Sequence, residues 1–241
     1  MITFIVVFAG ALAGGFVAGL AGFGTGITAL GIWLYVVEPA HGATLVVLCS
    51  VVSQVQTIPT IWHAIDRRRV LPFIVPGLIG VPLGTLLLEH VSPGAFRLAI
   101  GVLLLAFSTF MLCGRRLHLR WGGRVADGFV GFFGGILGGL AGISGPLPTM
   151  WATLRKWGKD ERRSVFQAFN LTVLVAALVM HAAAGLLTPE VGKLFLAALP
   201  GTIAGAWLGA RTYVRLSDKN FHDVVLGLLA VSGVVLIWSS L

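Results

Sequence analysis

Long apolar runs separated by short polar turns recur along the whole 241-residue chain. Six of them, over residues 44–64, 71–88, 94–113, 164–184, 191–210 and 221–241, are 18 to 21 residues long. At about 1.5 Å per residue, helices of that length cross a hydrocarbon core of about 30 Å. Two further apolar stretches are interrupted. One runs over 2–20 and resumes over 26–37, and the other runs over 125–141 and resumes over 147–157. The second limbs are too short to cross upright, at about 17 Å of helix. Each broken stretch is therefore read as a helical hairpin that enters the membrane and returns. Two tilted crossings would give the same topology.

The two interruptions are copies of each other. Gly14-Gly15-Phe16-Val17-Ala18-Gly19-Leu20-Ala21-Gly22 recurs 120 residues later as Gly134-Gly135-Ile136-Leu137-Gly138-Gly139-Leu140-Ala141-Gly142, with six of nine positions identical. Phe23-Gly24-Thr25-Gly26 follows the first copy and Ile143-Ser144-Gly145-Pro146 follows the second. At the same offset Thr44 matches Ser164 and Ser50 matches Asn170. After a four- or five-residue insertion, Pro76-Gly77 matches Pro200-Gly201, Leu83-Gly84 matches Leu208-Gly209, and Phe96 matches Phe221. Apolar segments interrupted by Gly or Pro at matching places in two halves point to the binding site of a secondary transporter. Glycines of this kind also serve plain helix packing in lipid, where small residues let backbones approach.

Composition agrees with a membrane protein. Residues are 57% hydrophobic and 11% charged, and 33 are glycine. The net charge of +8 does not indicate nucleic acid, because the basic residues lie in short loops between apolar runs. The loops at 66–69, 114–124, 155–163 and 211–219 hold 15 of the 17 Lys and Arg. Counting spans puts all four on one face, which the bias of basic loops makes the cytoplasm. Arg97 and Lys193 fall toward the other face, and both termini are then outside. The N-terminal run lacks the basic stretch of a cleavable signal and is read as mature structure. Cys49 and Cys113 fall in expected spans and read as small apolar residues. A hairpin and three spans make each half an odd number of crossings, so the second half is inverted relative to the first. The expected fold is an all-α polytopic membrane protein with two inverted-topology repeats, each a broken helical hairpin plus three transmembrane helices. It forms one transmembrane domain, with repeat 1 over 1–113, a cytoplasmic connector over 114–124 and repeat 2 over 125–241.

The breaks carry the expected chemistry. A helix that begins inside a membrane leaves its first N–H groups unpaired and carries about half a positive charge at that end. Such an end attracts an anion. The short helices would begin near Thr25–Gly26 and near Pro146, with Ser144 as an N-cap and Pro146 in the first turn. Inversion would bring the two tips together near the midplane. Gly24, Gly26, Gly142 and Gly145 would let a ligand approach the backbone, and Thr25, Thr28, Ser144 and Thr149 add hydroxyls. Ser50, Ser53, Gln54 and Gln56 lie in one flanking span, and Gln167, Asn170 and Thr172 in its counterpart. The substrate-binding residues are expected to be Gly24, Thr25, Gly26, Ser50, Gln54, Ser144, Gly145 and Asn170. Buried polar residues in lipid also serve as interhelical hydrogen bonds.

No Asp or Glu lies in the middle of a span, which favours an anion held by neutral donors over a cation pathway. His63 and His181 alone remain as proton carriers within spans. Each lies near an end, where an ordinary interfacial polar residue is the alternative. Gly142-Ile143-Ser144-Gly145 with His181 also resembles the Ser–His pair of rhomboid intramembrane proteases. The counterpart Gly22-Phe23-Gly24-Thr25 has no serine, and the counterpart of His181 is Ile61, so this reading is the remote one.

The duplicated Gly-Leu-Ala-Gly element and its break resemble those of the TauE/SafE family of membrane permeases. So do the chain's size, the Pro-Gly element that opens a later span in each half, and the final apolar run. The resemblance covers nearly the whole chain. It implies a transporter, not an enzyme, of sulfite, sulfoacetate or related sulfur-containing anions in the bacterial inner membrane. Another small anion such as a carboxylate, moved by a permease or a channel, is the alternative. No catalytic residue, metal or cofactor is expected. The expected partners are the small anion and membrane lipid, not nucleic acid, and a homodimer is allowed.

Overall fold

The computed structural model describes residues 2–60, 65–113, 122–157 and 159–213. It is helical throughout, with no strand among those residues. Nine α-helices follow in order among them. They are α1 Ile2–Ala21, α2 Thr25–Trp33, α3 Pro39–Thr57, α4 Arg67–His90, α5 Pro93–Cys113, α6 Arg124–Ala141, α7 Pro146–Leu154, α8 Lys159–Ala183 and α9 Pro189–Tyr213. A 3₁₀ turn over Ile58–Thr60 continues α3. Five helices are long and apolar enough to cross a membrane: α1, α4, α6, α9 and the Ser164–Ala183 part of α8.

The expected breaks are present, with shorter second limbs than the hydropathy suggested. α2 and α7 have 9 residues each, about 14 Å of helix. Apolar side chains continue past α2, which stops at Leu34, whereas α7 stops at Arg155, where the chain turns basic. The span expected over 44–64 begins earlier, at Pro39, whose fixed φ suits a first helical position. The run over 221–241, its Phe221, most of the connector over 114–124 and His63 lie outside the described residues.

The surface is the reverse of a water-soluble domain. On α4, Leu71, Val75, Ile79, Leu83 and Leu86 are exposed. Their spacing of three or four residues makes one apolar stripe that suits lipid contact. Buried instead are polar residues such as Thr25, Ser50, Gln54, Gln167 and Asn170. Apolar packing gathers in two clusters. One is built around Trp33, Phe96 and Phe107, and the other around Phe73, Phe166 and Phe169. Trp33 enters the first without an unpaired donor, because its Nε1 gives a hydrogen bond of 3.0 Å to the Val7 carbonyl.

Glycine sets the two closest helix contacts, α1 on α9 and α4 on α6. A Cβ built on Gly80 or Gly84 of α4 would run into the Phe132 or Ile136 carbonyl of α6. A Cβ on Gly205 or Gly209 of α9 would run into the Leu12 or Phe16 carbonyl of α1. Leu12 and Phe16 stand 120 residues before Phe132 and Ile136, and Gly80 and Gly84 stand 125 before Gly205 and Gly209. The reverse contacts match as well. Gly135 and Gly139 meet the Gly77 and Val81 carbonyls, while Gly15 and Gly19 meet those of Thr202 and Ala206. Gly15, Gly19, Gly135 and Gly139 of the duplicated element thus pack backbone against backbone. Those at its end build the breaks.

Candidate functional site

Both breaks turn on glycine. Gly22 and its counterpart Gly142 have φ of 78° and 66°, and Gly24 has φ of 109°. This left-handed region carries a cost for any residue with a Cβ. It reverses the chain over Gly22–Gly24 and Gly142–Gly145, so that α2 and α7 begin beside the ends of α1 and α6. Helix α2 makes its first ladder bond from Thr28 N–H to the Gly24 carbonyl at 3.1 Å. The N–H groups of Thr25, Gly26 and Ile27 precede it and have no partner within the helix. The first ladder bond of α7 runs from Thr149 N–H to the Gly145 carbonyl at 3.1 Å. Here Pro146 and Pro148 have no N–H, so Leu147 alone offers one in the first three positions. The two helix starts therefore differ by two donors, in favour of α2.

The tips meet. A Cβ on Gly26 would stand 3.1 Å from the Gly142 carbonyl oxygen and 3.1 Å from Ile143 Cγ1. One on Gly145 would stand 2.7 Å from Phe23 Cβ. Between the tips and α3 and α8 lies one small cavity. All eight expected residues line it: Gly24, Thr25, Gly26, Ser50, Gln54, Ser144, Gly145 and Asn170. Phe23, Ile143 and Leu174 add apolar wall that the polar pattern did not single out. The space open to the centre of a water-sized sphere is about 10 Å³, the room one water needs. Thr25, Ser50, Gln54, Ser144 and Asn170 are each less than 5% exposed, so the site is closed.

Its hydrogen bonds join the two halves. Ser144 Oγ donates to Asn170 Oδ1 at 2.9 Å. The expected N-cap role of Ser144 is thereby corrected: Gly145 holds the cap position, with no side-chain cap bond. Gln54 Nε2 donates to the Gly22 carbonyl at 2.7 Å, and Asn170 Nδ2 reaches the same oxygen at 3.5 Å. Each NH₂ group retains a second hydrogen. Gln54 Oε1 and Thr28 Oγ1 are buried without a hydrogen-bond partner. Below the cavity, Gln167 Nε2 donates to Thr57 Oγ1 at 3.0 Å.

The Ser–His pair of a protease is not formed. Ser144 bonds Asn170, whereas the His181 ring bonds the Gly139 carbonyl at 2.7 Å and Thr44 Oγ1 at 3.1 Å. His181 is buried among these helices, at 0% exposed. Asp127, in the first turn of α6, is also buried. Its Oδ1 accepts from Trp151 Nε1 at 2.7 Å and from Arg155 Nη1 at 3.1 Å, which ties α7 to α6. Among the described residues no group of three His, Cys, Asp or Glu is placed to hold a metal.

Comparison with known proteins bears on this arrangement. The family model "Sulfite exporter TauE/SafE" matches residues 6–236. "Probable sulfite/organosulfonate exporter TauE" of Cupriavidus necator is 29% identical over 227 residues, covering 90% of this chain and 87% of that protein. No solved structure matches the chain. The family and this relative are exporters, not enzymes. A helical membrane architecture with duplicated glycine breaks, and a family match over nearly its full length, make this chain a member of the TauE/SafE sulfite exporter family.

Proposed function

We propose that the chain carries small sulfur-containing anions such as sulfite or sulfoacetate across the bacterial inner membrane, holding the anion between the two breaks. One observation supports this most directly: residues from both breaks and from the counterpart positions Ser50 and Asn170 line a single buried cavity. The unpaired N–H groups that open α2, with the hydroxyls of Thr25 and Ser50, form a donor set without a cation. A sulfonate or sulfite offers three oxygens to such donors.

The matched contacts of α1 with α9 and of α4 with α6 support two repeats inverted in the membrane, with the basic loops cytoplasmic and the N-terminus outside. The cavity has room for about one water, less than a sulfonate head group needs. Entry and release therefore require the walls to part, as in a carrier and unlike an open channel. The test is flux of labelled sulfite and sulfoacetate in proteoliposomes. Saturable uptake with counterflow is the expected result. Folded protein that moves neither, while moving a carboxylate such as acetate, would overturn the sulfur-anion assignment.

A further inference from the structure

His181 is a buried ionisable side chain for which the anion site has no use. It lies on α8 near the end opposite its charged start, 0% exposed, and its two ring nitrogens bond to two other helices. Nε2 stands 2.7 Å from the Gly139 carbonyl of α6. A carbonyl only accepts, so Nε2 carries a hydrogen in either charge state. Nδ1 stands 3.1 Å from Thr44 Oγ1 of α3. That hydroxyl also lies 2.9 Å from the Ala40 carbonyl, a second acceptor within reach of its one hydrogen.

The single Thr44 hydrogen makes this a two-state contact. With a neutral ring, it points to Nδ1. With a protonated ring, Nδ1–H donates to Thr44 Oγ1 and the hydroxyl hydrogen turns to Ala40. Both states keep every ring nitrogen bonded, and no heavy atom has to move between them. The Gly139 carbonyl fixes the tautomer of the neutral ring, and the Thr44 hydroxyl accepts the ring in both charge states.

We propose that His181 is a proton-binding site that couples proton movement to anion transport, an inference that rests on the anion-carrier reading above. Leu174, which lines the cavity, is seven residues from His181 on the same helix, about 10 Å of rise. Across 10–15 Å at an effective dielectric of about 20, a protonated ring strengthens anion binding by roughly tenfold. By linkage the anion strengthens proton binding by the same factor. Proton and anion binding are thus cooperative.

Other titratable groups on the helices packed against α8 are His41 and Cys49 of α3, Glu89 and His90 of α4, and Asp127 of α6. The arginines that open α4 and α6 stand at the other end of the bundle. Among the described residues none of these groups bonds to the His181 ring. Asp127 is taken up by Trp151 and Arg155, and His90 Nδ1 lies 2.8 Å from the Leu86 carbonyl.

The test uses the full chain in proteoliposomes with a trapped pH dye and labelled ethanesulfonate, an anion that carries no proton of its own near neutral pH. Proton movement should accompany sulfonate flux, and flux should fall as pH rises. His181→Gln, which can still bond Gly139 and Thr44, should move sulfonate without protons and with a flat pH profile. Thr44→Val removes the partner of Nδ1 in both charge states, and the bond lost by the charged ring is the stronger one. It should shift the proton concentration for half-maximal flux upward by about tenfold, the difference between a charge-assisted and a neutral hydrogen bond, even where His181→Gln does not fold. Sulfonate flux without proton movement in the unaltered protein would overturn the coupling and leave the carrier reading intact. An unchanged pH profile in either folded variant would also overturn it. Absence of flux for every anion would overturn the carrier reading and this inference with it.

Discussion

Gln54 and Asn170, from different halves of the chain, direct their amides at one oxygen, the Gly22 carbonyl. That oxygen belongs to a residue held in the left-handed region, so both side chains report on the shape of the first break. Asn170 also accepts from Ser144 in the second break and is thus in contact with both. The substitution Asn170→Asp keeps the size and the acceptor for Ser144 while adding a negative charge to the cavity wall. At about 4 Å and an effective dielectric of 20, repulsion of a bound anion is roughly 4 kcal/mol. Sulfonate binding should weaken about a thousandfold, measured by ligand-induced shift of the melting temperature. Binding as tight as in the unaltered protein would remove Asn170 from the site.

At the level of helices, glycine does two kinds of work, which a single substitution series separates. Gly84 and Gly209 are counterparts whose Cβ atoms would strike a carbonyl of the facing helix. Alanine at either should lower stability by about 1–3 kcal/mol through forced separation of the backbones. The two losses should be similar because the contacts are equivalent. Gly192 of α9 has nothing within 4 Å of a built Cβ. Gly192→Ala should therefore be neutral or raise stability by up to about 1 kcal/mol. Thermal melts of the three variants in detergent test this. A loss confined to one of Gly84 and Gly209 would contradict the equivalence.

These helices also show what could be read from the chain and what could not. Breaks at Gly22–Gly24 and Gly142–Gly145 were legible because glycine, serine and proline interrupt apolar runs at a fixed offset. The eight cavity residues followed from that offset and from the polar positions flanking it. The short limbs were overextended, since Leu34–Val37 stays apolar after the helix has ended and hydropathy does not register a helix end. The bonding of Ser144 to Asn170 was not legible. A serine before a helix start looks like a cap until the facing helix supplies an acceptor. The bonding of His181 was hidden for the same reason, as its partners Thr44 and Gly139 lie 137 and 42 residues away.

Across the molecule, the closest contacts join the halves to each other. α1 lies on α9 and α4 lies on α6, so each half contributes one helix to each tight pair. Any motion that opens the cavity must keep these pairs together, because their backbones are in direct contact. The division between moving parts then runs across the sequence repeats and not between them. The two halves made as separate chains, 1–121 and 122–241, should co-purify when expressed together. Each should be degraded or aggregated when expressed alone, as followed by a tag on either half. A stable, monodisperse single half would show that the glycine faces do not need each other.

The crossed pairing also bears on ancestry. A half-length forerunner would have carried both members of the pair, one glycine face like that of α1 and one like that of α4. Here each lies against the other half. Before fusion, two copies could have made the same two contacts by pairing with each other. Once the copies were joined, each tip was free to change alone. The two prolines of α7, absent from α2, are the kind of departure that only a fused chain can keep.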